Sequence, residues 1–146
     1  MYTGGANMEG EMSAERRPPT SAVIHVAALR AALRAFLRDS ERVALASGLT
    51  PQRYLLLLMI KGAADGSEQA TVTQLADRMK LAQSSVTELV QRAEEAGLIV
   101  REQAADDGRV AQISLTEEGE RRFARAFTAL DVERRRLQSA IAELDA

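Results

Sequence analysis

The sequence predicts a mainly helical chain carrying one small β-hairpin, and three features lead there. Aromatic residues make up 3% of the chain, with no Trp, inside a hydrophobic content of 46%, so the core has to be built from Leu, Val, Ile and Ala. Those residues suit helices. Apolar positions recur at three- and four-residue spacing along most of the length, the signature of helices buried on one side. In one place the period drops to two: Ala111, Ile113 and Leu115 alternate with Gln112 and Ser114, as in a half-buried strand.

The length of 146 residues suits one domain, expected over 21–146 and preceded by an arm over 1–20. The opening MYTGGANMEGEMSAERRPPT has no apolar centre and reads as a flexible arm, not a signal peptide. With no Cys, the sequence has neither disulfides nor thiolate metal sites, and with His25 as its single histidine it has no multi-histidine site. The longest apolar run, Tyr54 to Ile60, falls far short of the roughly 20 residues of a membrane span. A cytoplasmic protein with no membrane partner, no metal and no cofactor is the expectation.

After Pro18-Pro19, Thr20 or Ser21 is placed to cap a long helix over about 21–46. Val26, Leu29, Leu33, Phe36, Leu37 and Val43 recur along one face of it, which is therefore expected to be buried. Arg30, Arg34, Arg38 and Arg42 form a slowly drifting basic stripe, read first as a solvated face and second as a phosphate or partner contact. Thr50 then caps a second helix, with Pro51 at its first position. Its segment YLLLLMI is apolar all round, which marks a central helix.

TVTQ, Thr71 to Gln74, has the form of a capping box and starts a short helix with Leu75, Ala76 and Met79 inward. A joint over Lys80 to Gln83 leads into another helix through Ala96, and Gly97 stops it. Val86, Leu89, Val90 and Ala93 mark its buried side, whereas Ser84, Ser85, Thr87, Glu88, Gln91 and Arg92 occupy the other. Leu98 to Gln103 reads as a strand, a turn around Asp107-Gly108 reverses the chain, and Arg109 to Leu115 returns. Thr116 begins a final helix over about 116–145, with Glu117 and Glu118 favourable at its N-terminus. Phe123, Phe127 and Leu130 form one apolar stripe on it and Leu137, Ile141 and Leu144 a second; Arg134, Arg135 and Arg136 between them predict a bend.

Two short helices, a tight joint and a hairpin are the parts of a winged helix-turn-helix, here over about 49–115. The polar outer face of the second helix carries groups that bond base edges and phosphates in a major groove. An arginine on the hairpin suits the narrow, electronegative minor groove beside it. At this point the chain resembles the MarR-type (multiple antibiotic resistance regulator) repressors. Their wing signature is D-x-R, three residues, then V-x-L-T-x-x-G; Asp107, Arg109, Ile113, Leu115, Thr116 and Gly119 match it, with Ile for Val. The segment QLADRMKLAQSSVTELVQRAEEAGLIVR follows the same family's helix-turn-helix rhythm. Two positions depart from it: Ala82 stands where a capping Ser or Thr is usual, and Lys80 where a turn glycine is frequent.

The resemblance implies DNA contacts from Gln83, Ser84, Ser85, Thr87 and Arg92, and from Arg109 in the wing with Asp107 bracing it. It also implies a homodimer held by the helices over about 21–46 and 116–145, bound to a pseudo-palindromic operator in double-stranded DNA. Small, often aromatic and anionic effectors are implied where those helices meet the winged domain, with His25, Arg53 and Tyr54 as candidate contacts. For His25 an ordinary helix-face histidine is the competing reading. The leading function is thus a ligand-responsive, homodimeric transcriptional repressor. Thr71 to Leu115 holds five basic residues against seven acidic ones, so bulk charge gives no nucleic-acid signal. That balance motivates the alternative, a winged-helix protein-interaction module without DNA binding. An enzyme fits poorly, since no nucleophile–base pair, phosphate loop or metal site stands out.

Overall fold

In the computed structural model the described residues are 16–104 and 107–145, and the side chains of 104–109 lie outside the description. The elements run α1 (Thr20–Ala46), α2 (Pro51–Lys61), α3 (Val72–Met79), α4 (Gln83–Glu95), β1 (Ile99–Ala104), β2 (Asp107–Leu115), α5 (Glu117–Ala129) and α6 (Asp131–Asp145). The fold is therefore mainly α with one β-hairpin, as the sequence predicts.

α2 is the hub. Thr50 caps it by accepting from the Arg53 amide at 3.2 Å, and Pro51 occupies its first turn, where a missing N–H costs nothing. Leu56, Leu57 and Ile60 are fully buried, and the helix touches α1, α3, α4, α5 and β2. Around it gather Leu49, Leu75, Val86, Val90, Leu98, Ile113 and Phe123, forming one continuous core. α3 begins with the expected capping box: Gln74 N–H donates to Thr71 Oγ1 and Thr71 N–H donates back to Gln74 Oε1. The joint to α4 turns on Lys80, held at φ 57°, ψ 44°. This left-handed conformation is where glycine would be cheapest, so the lysine carries strain.

Gly97, at φ +76°, ends the turn after α4 and releases the chain into the hairpin. The strands pair antiparallel from Ile99 opposite Leu115 to Gln103 opposite Ala111, after which the register shifts and Ala104 faces Asp107. The expected turn around Asp107-Gly108 is not where the chain turns, since both of those residues already belong to β2. Gly108, Arg109 and Val110 are the extra residues of a bulge, which bends a strand and re-aims its side chains. Ile113 is fully buried and also pairs with Ala70 through two backbone hydrogen bonds of 2.8 and 3.0 Å. The loop before α3 therefore adds a short third rung to the wing.

Four expectations need correction. Thr20 is the first residue of α1, Pro19 takes the cap position, and no side chain caps it; the Pro19 carbonyl accepts from Val23 N–H. The apolar face of α1 is not buried within the chain: Val26, Leu33 and Leu37 are about half exposed and Ala44 is the buried residue of the helix. Because its many alanines raise the mean without making a long run, α1 is also long and apolar enough to cross a membrane, with mean hydropathy 1.3 over an 18-residue window. Finally, the last helix is two. The break falls at Leu130, ahead of Arg134 to Arg136, and Phe123 and Leu130 pack inside the chain's own core instead of facing outward.

Candidate nucleic-acid interface

α4 buries Val86, Val90 and Ala93 and turns Gln83, Ser84, Ser85, Thr87, Glu88, Gln91 and Arg92 to solvent. The separation follows from the 3.6-residue period: the apolar positions share one flank and the polar ones the opposite arc. Ala82 offers no side-chain cap, so the first amides of α4 lack the bond that Thr50 and Thr71 give α2 and α3. The front of the helix is braced sideways instead. Gln83 Nε2 donates to Thr73 Oγ1 at 3.4 Å, tying α4 to α3, and Thr87 Oγ1 donates to the Gln83 carbonyl at 2.8 Å. Neither Ser84 nor Ser85 makes a hydrogen bond among those described.

Arg92 sits in the last turn, one helical turn beyond Glu88, whose carboxylate it pairs with at 2.8 Å. Both side chains are more than 60% exposed, so the pair contributes little to stability. It does fix Glu88 in the middle of the outward arc. The sequence places Glu88 and Gln91 on this outward face without naming them among the DNA contacts, whereas Thr73 enters only through the packing of α3 on α4. Two more cations of this region are spoken for, Arg101 by Glu94 at 3.3 Å and Lys80 by Asp77 at 3.5 Å. Arg78 donates to the Met59 carbonyl at 3.0 Å and locks α3 to the end of α2.

The wing rises beside α4. Its base is a tight corner: Thr116 Oγ1 donates to the Gly97 carbonyl at 2.6 Å and accepts from Gly119 N–H at 3.0 Å, while Thr116 N–H donates to the Leu98 carbonyl at 3.0 Å. The backbone of Asp107 and Arg109 lies in β2, and their side chains fall outside the described residues.

Of the three candidate effector contacts, Tyr54 alone lines an apolar cleft. This cleft, of about 340 Å³, lies between α1, α2 and the α5–α6 joint, with Phe36, Leu37, Leu55, Leu58 and Phe127 as walls. Tyr54 stacks on Phe123 at 5.8 Å, and Phe123 meets Phe127 at 5.4 Å. Arg134, which sequence reading used only as a break in a stripe, reaches over the Phe127 ring at 4.2 Å and donates to the Phe127 carbonyl at 2.8 Å. Burial pushes the Tyr54 phenol above its ordinary pKa against the opposing pull of Arg134, so it stays a neutral donor at pH 7. Arg53 lines a separate cleft with Arg92, and His25 lies exposed on the first turns of α1, away from both.

The family model described as the MarR family matches residues 47–110, from the end of α1 into the wing. Over those residues the chain is similar to the MarR family. The chain is also similar to the HTH-type transcriptional repressor MdtR of Bacillus subtilis (strain 168), at 37% identity over 76 residues. That match covers 52% of this chain and 46% of MdtR, so the chain spans about half the length of that relative. Among solved structures, AbsC, a MarR family transcriptional regulator from Streptomyces coelicolor, superposes with a TM-score of 0.72 at 20% identity, covering 84% of this chain and 81% of AbsC. CouR from Rhodococcus jostii RHA1, solved bound to p-coumaroyl-CoA, gives a TM-score of 0.62 at 28% identity over 72% of this chain and 71% of CouR. The fold likeness therefore extends beyond 47–110 to the flanking helices.

Proposed function

We propose that the protein is a homodimeric transcriptional repressor that binds double-stranded DNA and is released by a small organic anion. The observation that carries this reading is the outward polar arc of α4, set beside a wing that is anchored at its base by the Thr116 corner. Gln83, Ser84, Ser85, Thr87 and Arg92 meet the major groove, and Arg109, braced by Asp107, enters the minor groove. The similarity to the repressor MdtR supports the same assignment. The second subunit covers the exposed face of α1, and two-fold symmetry makes the operator pseudo-palindromic, with half-sites roughly 10 base pairs apart. The protein works in the cytoplasm, where its DNA is.

The effector lies in the cleft under Arg134. Largely apolar walls with Arg134, Tyr54 and, on α1, the Glu41 carboxylate suit an aromatic carboxylate, or a thioester of one, whose anionic end meets Arg134, in line with the p-coumaroyl-CoA held by CouR. An interaction module without DNA binding is the competing reading, favoured by the pairing of Lys80, Arg92 and Arg101 with carboxylates. A gel shift on the DNA upstream of the chain's own gene separates the two. A retarded band that competes with specific but not random duplex, and that aromatic carboxylates abolish, is expected. No retardation at micromolar dimer and low salt would leave the interaction module ahead. Arg109→Ala is expected to weaken operator binding by about 1–3 kcal/mol without moving the melting temperature.

A further inference from the structure

Beside the recognition helix, on the flank away from α3, lies a cleft of about 330 Å³ lined by Thr50, Pro51, Gln52, Arg53, Leu89 and Arg92. Its charge sets it apart. Four other clefts among the described residues each include a carboxylate: Glu143, Asp39, Glu133 or Glu41. This one has two guanidinium-bearing residues, contributed by different helices, and no acid. Two like charges sharing a concave site repel unless an anion lies between them. Arg92 has Glu88 outside the cleft to offset part of its charge, whereas Arg53 takes part in none of the ion pairs among the described residues. Arg53 is also half-buried, so its charge is not simply spread into water.

We propose that Arg53 and Arg92 form an oxyanion clamp that takes one backbone phosphate of the duplex along the edge of the major groove. The inference rests on the DNA-binding reading and adds Arg53, from α2, to the interface. Placement favours a duplex phosphate. Arg92 and Leu89 are on the flank of α4 whose neighbouring arc carries Ser84, Glu88 and Gln91, so a groove that admits that arc brings one of its phosphate walls to the cleft. The opposite wall falls on the α3 side, where Thr73 and Gln83 are joined. A guanidinium pair reads no base, and its contribution is therefore register and affinity, independent of sequence.

The test uses the full chain and fluorescently labelled duplexes from the upstream region. Wild-type affinity for the operator reports on the DNA-binding reading; without it both readings fall. Given wild-type binding, Arg53→Gln is expected to weaken operator and random duplex alike, roughly tenfold at moderate salt, and to reduce the slope of log K against log salt by about one. Ser84→Ala is expected to weaken the operator alone. A neutral methylphosphonate placed at successive positions of the operator should, at one position per half-site, weaken the wild type but not Arg53→Gln, the pattern of a coupled pair. Equal affinity and equal slope in Arg53→Gln, with an unchanged melting temperature, would overturn the clamp. So would a cleft that serves a free oxyanion: inorganic phosphate would then raise the melting temperature of the wild type but not of Arg53→Gln, and the methylphosphonate series would show no coupling.

Discussion

Replacing Gly119 by alanine tests the corner that sets the wing on the core. A Cβ built at Gly119 would stand 2.0 Å from the Leu98 carbonyl oxygen and 3.0 Å from its carbon. An ordinary carbon–oxygen contact needs more than 3 Å, so α5 and the chain at Leu98 have to separate by roughly 1 Å or more. The obstacle is backbone, so no rotamer change relieves it. The same Leu98 carbonyl accepts from Thr116 N–H, and Thr116 Oγ1 holds the Gly97 carbonyl, so the separation also strains two hydrogen bonds. Overpacking costs about 1–3 kcal/mol and a lost backbone hydrogen bond about 1 kcal/mol, giving about 3 kcal/mol in all. That corresponds to a fall in melting temperature of roughly 10 °C for a chain of this size. Urea unfolding followed by circular dichroism measures it, with Thr116→Ala as a companion expected to cost about 1 kcal/mol through the lost cap. A Gly119→Ala protein as stable as the wild type would refute the close approach and the account of the corner with it.

Lys80→Gly is expected to stabilise the fold by about 0.5 kcal/mol, since relief of the left-handed strain outweighs the added freedom of the unfolded chain; a lower urea midpoint would count against it. Lys61 binds Glu120 at 2.7 Å and Glu68 at 3.3 Å, and its hydrogen bond to Glu120 raises its pKa above the ordinary lysine value. The stabilisation is then complete below the unfolded pKa of about 10.4 and lost as pH rises through the higher folded value. Lys61→Met should therefore flatten stability against pH only on that alkaline side, by well under 1 kcal/mol at so exposed a bridge. Leu29→Asp and Leu33→Asp, at 37% and 46% exposed positions of α1, should give a folded monomer by light scattering. A dimer unaffected by both changes would move the subunit interface off α1.

The elements were legible in the sequence wherever local chemistry fixes them. Thr50-Pro51, the Thr71–Gln74 box, Gly97 and Thr116 each act within a few residues, and all four start or stop an element as read. Partners that depend on tertiary packing were not legible. Val26, Leu29 and Leu33 carry a core pattern, yet a period shows only that a face is apolar and not which chain covers it. Phe123 and Leu130 looked equally available and turned out to fill the chain's own core. Arg134 passed as a charge interrupting a stripe because nothing in its neighbours signals that Phe127, seven residues back across a helix break, is its partner. The reversal of the wing was misplaced because Asp-Gly is a strong turn signal that β2 instead absorbs in a bulge.

If the two clefts hold effector and duplex as proposed, α2 is the element that would couple them. Its first turn, Pro51 to Arg53, lines the cationic cleft beside α4; Tyr54, Leu55 and Leu58 line the apolar cleft under Arg134; Leu56, Leu57 and Ile60 hold the core between them. A packed helix moves as a unit, because fully buried side chains leave no room for one end to shift alone. An occupant that displaces Tyr54 or Leu55 therefore also shifts Arg53 relative to the duplex. By linkage, DNA that fixes Arg53 must resist that occupant by the same factor. Effector affinity measured with and without operator, and operator affinity measured with and without effector, should then change by equal ratios. An effector that binds equally well to the free protein and to its DNA complex would show that α2 carries no signal between the two clefts.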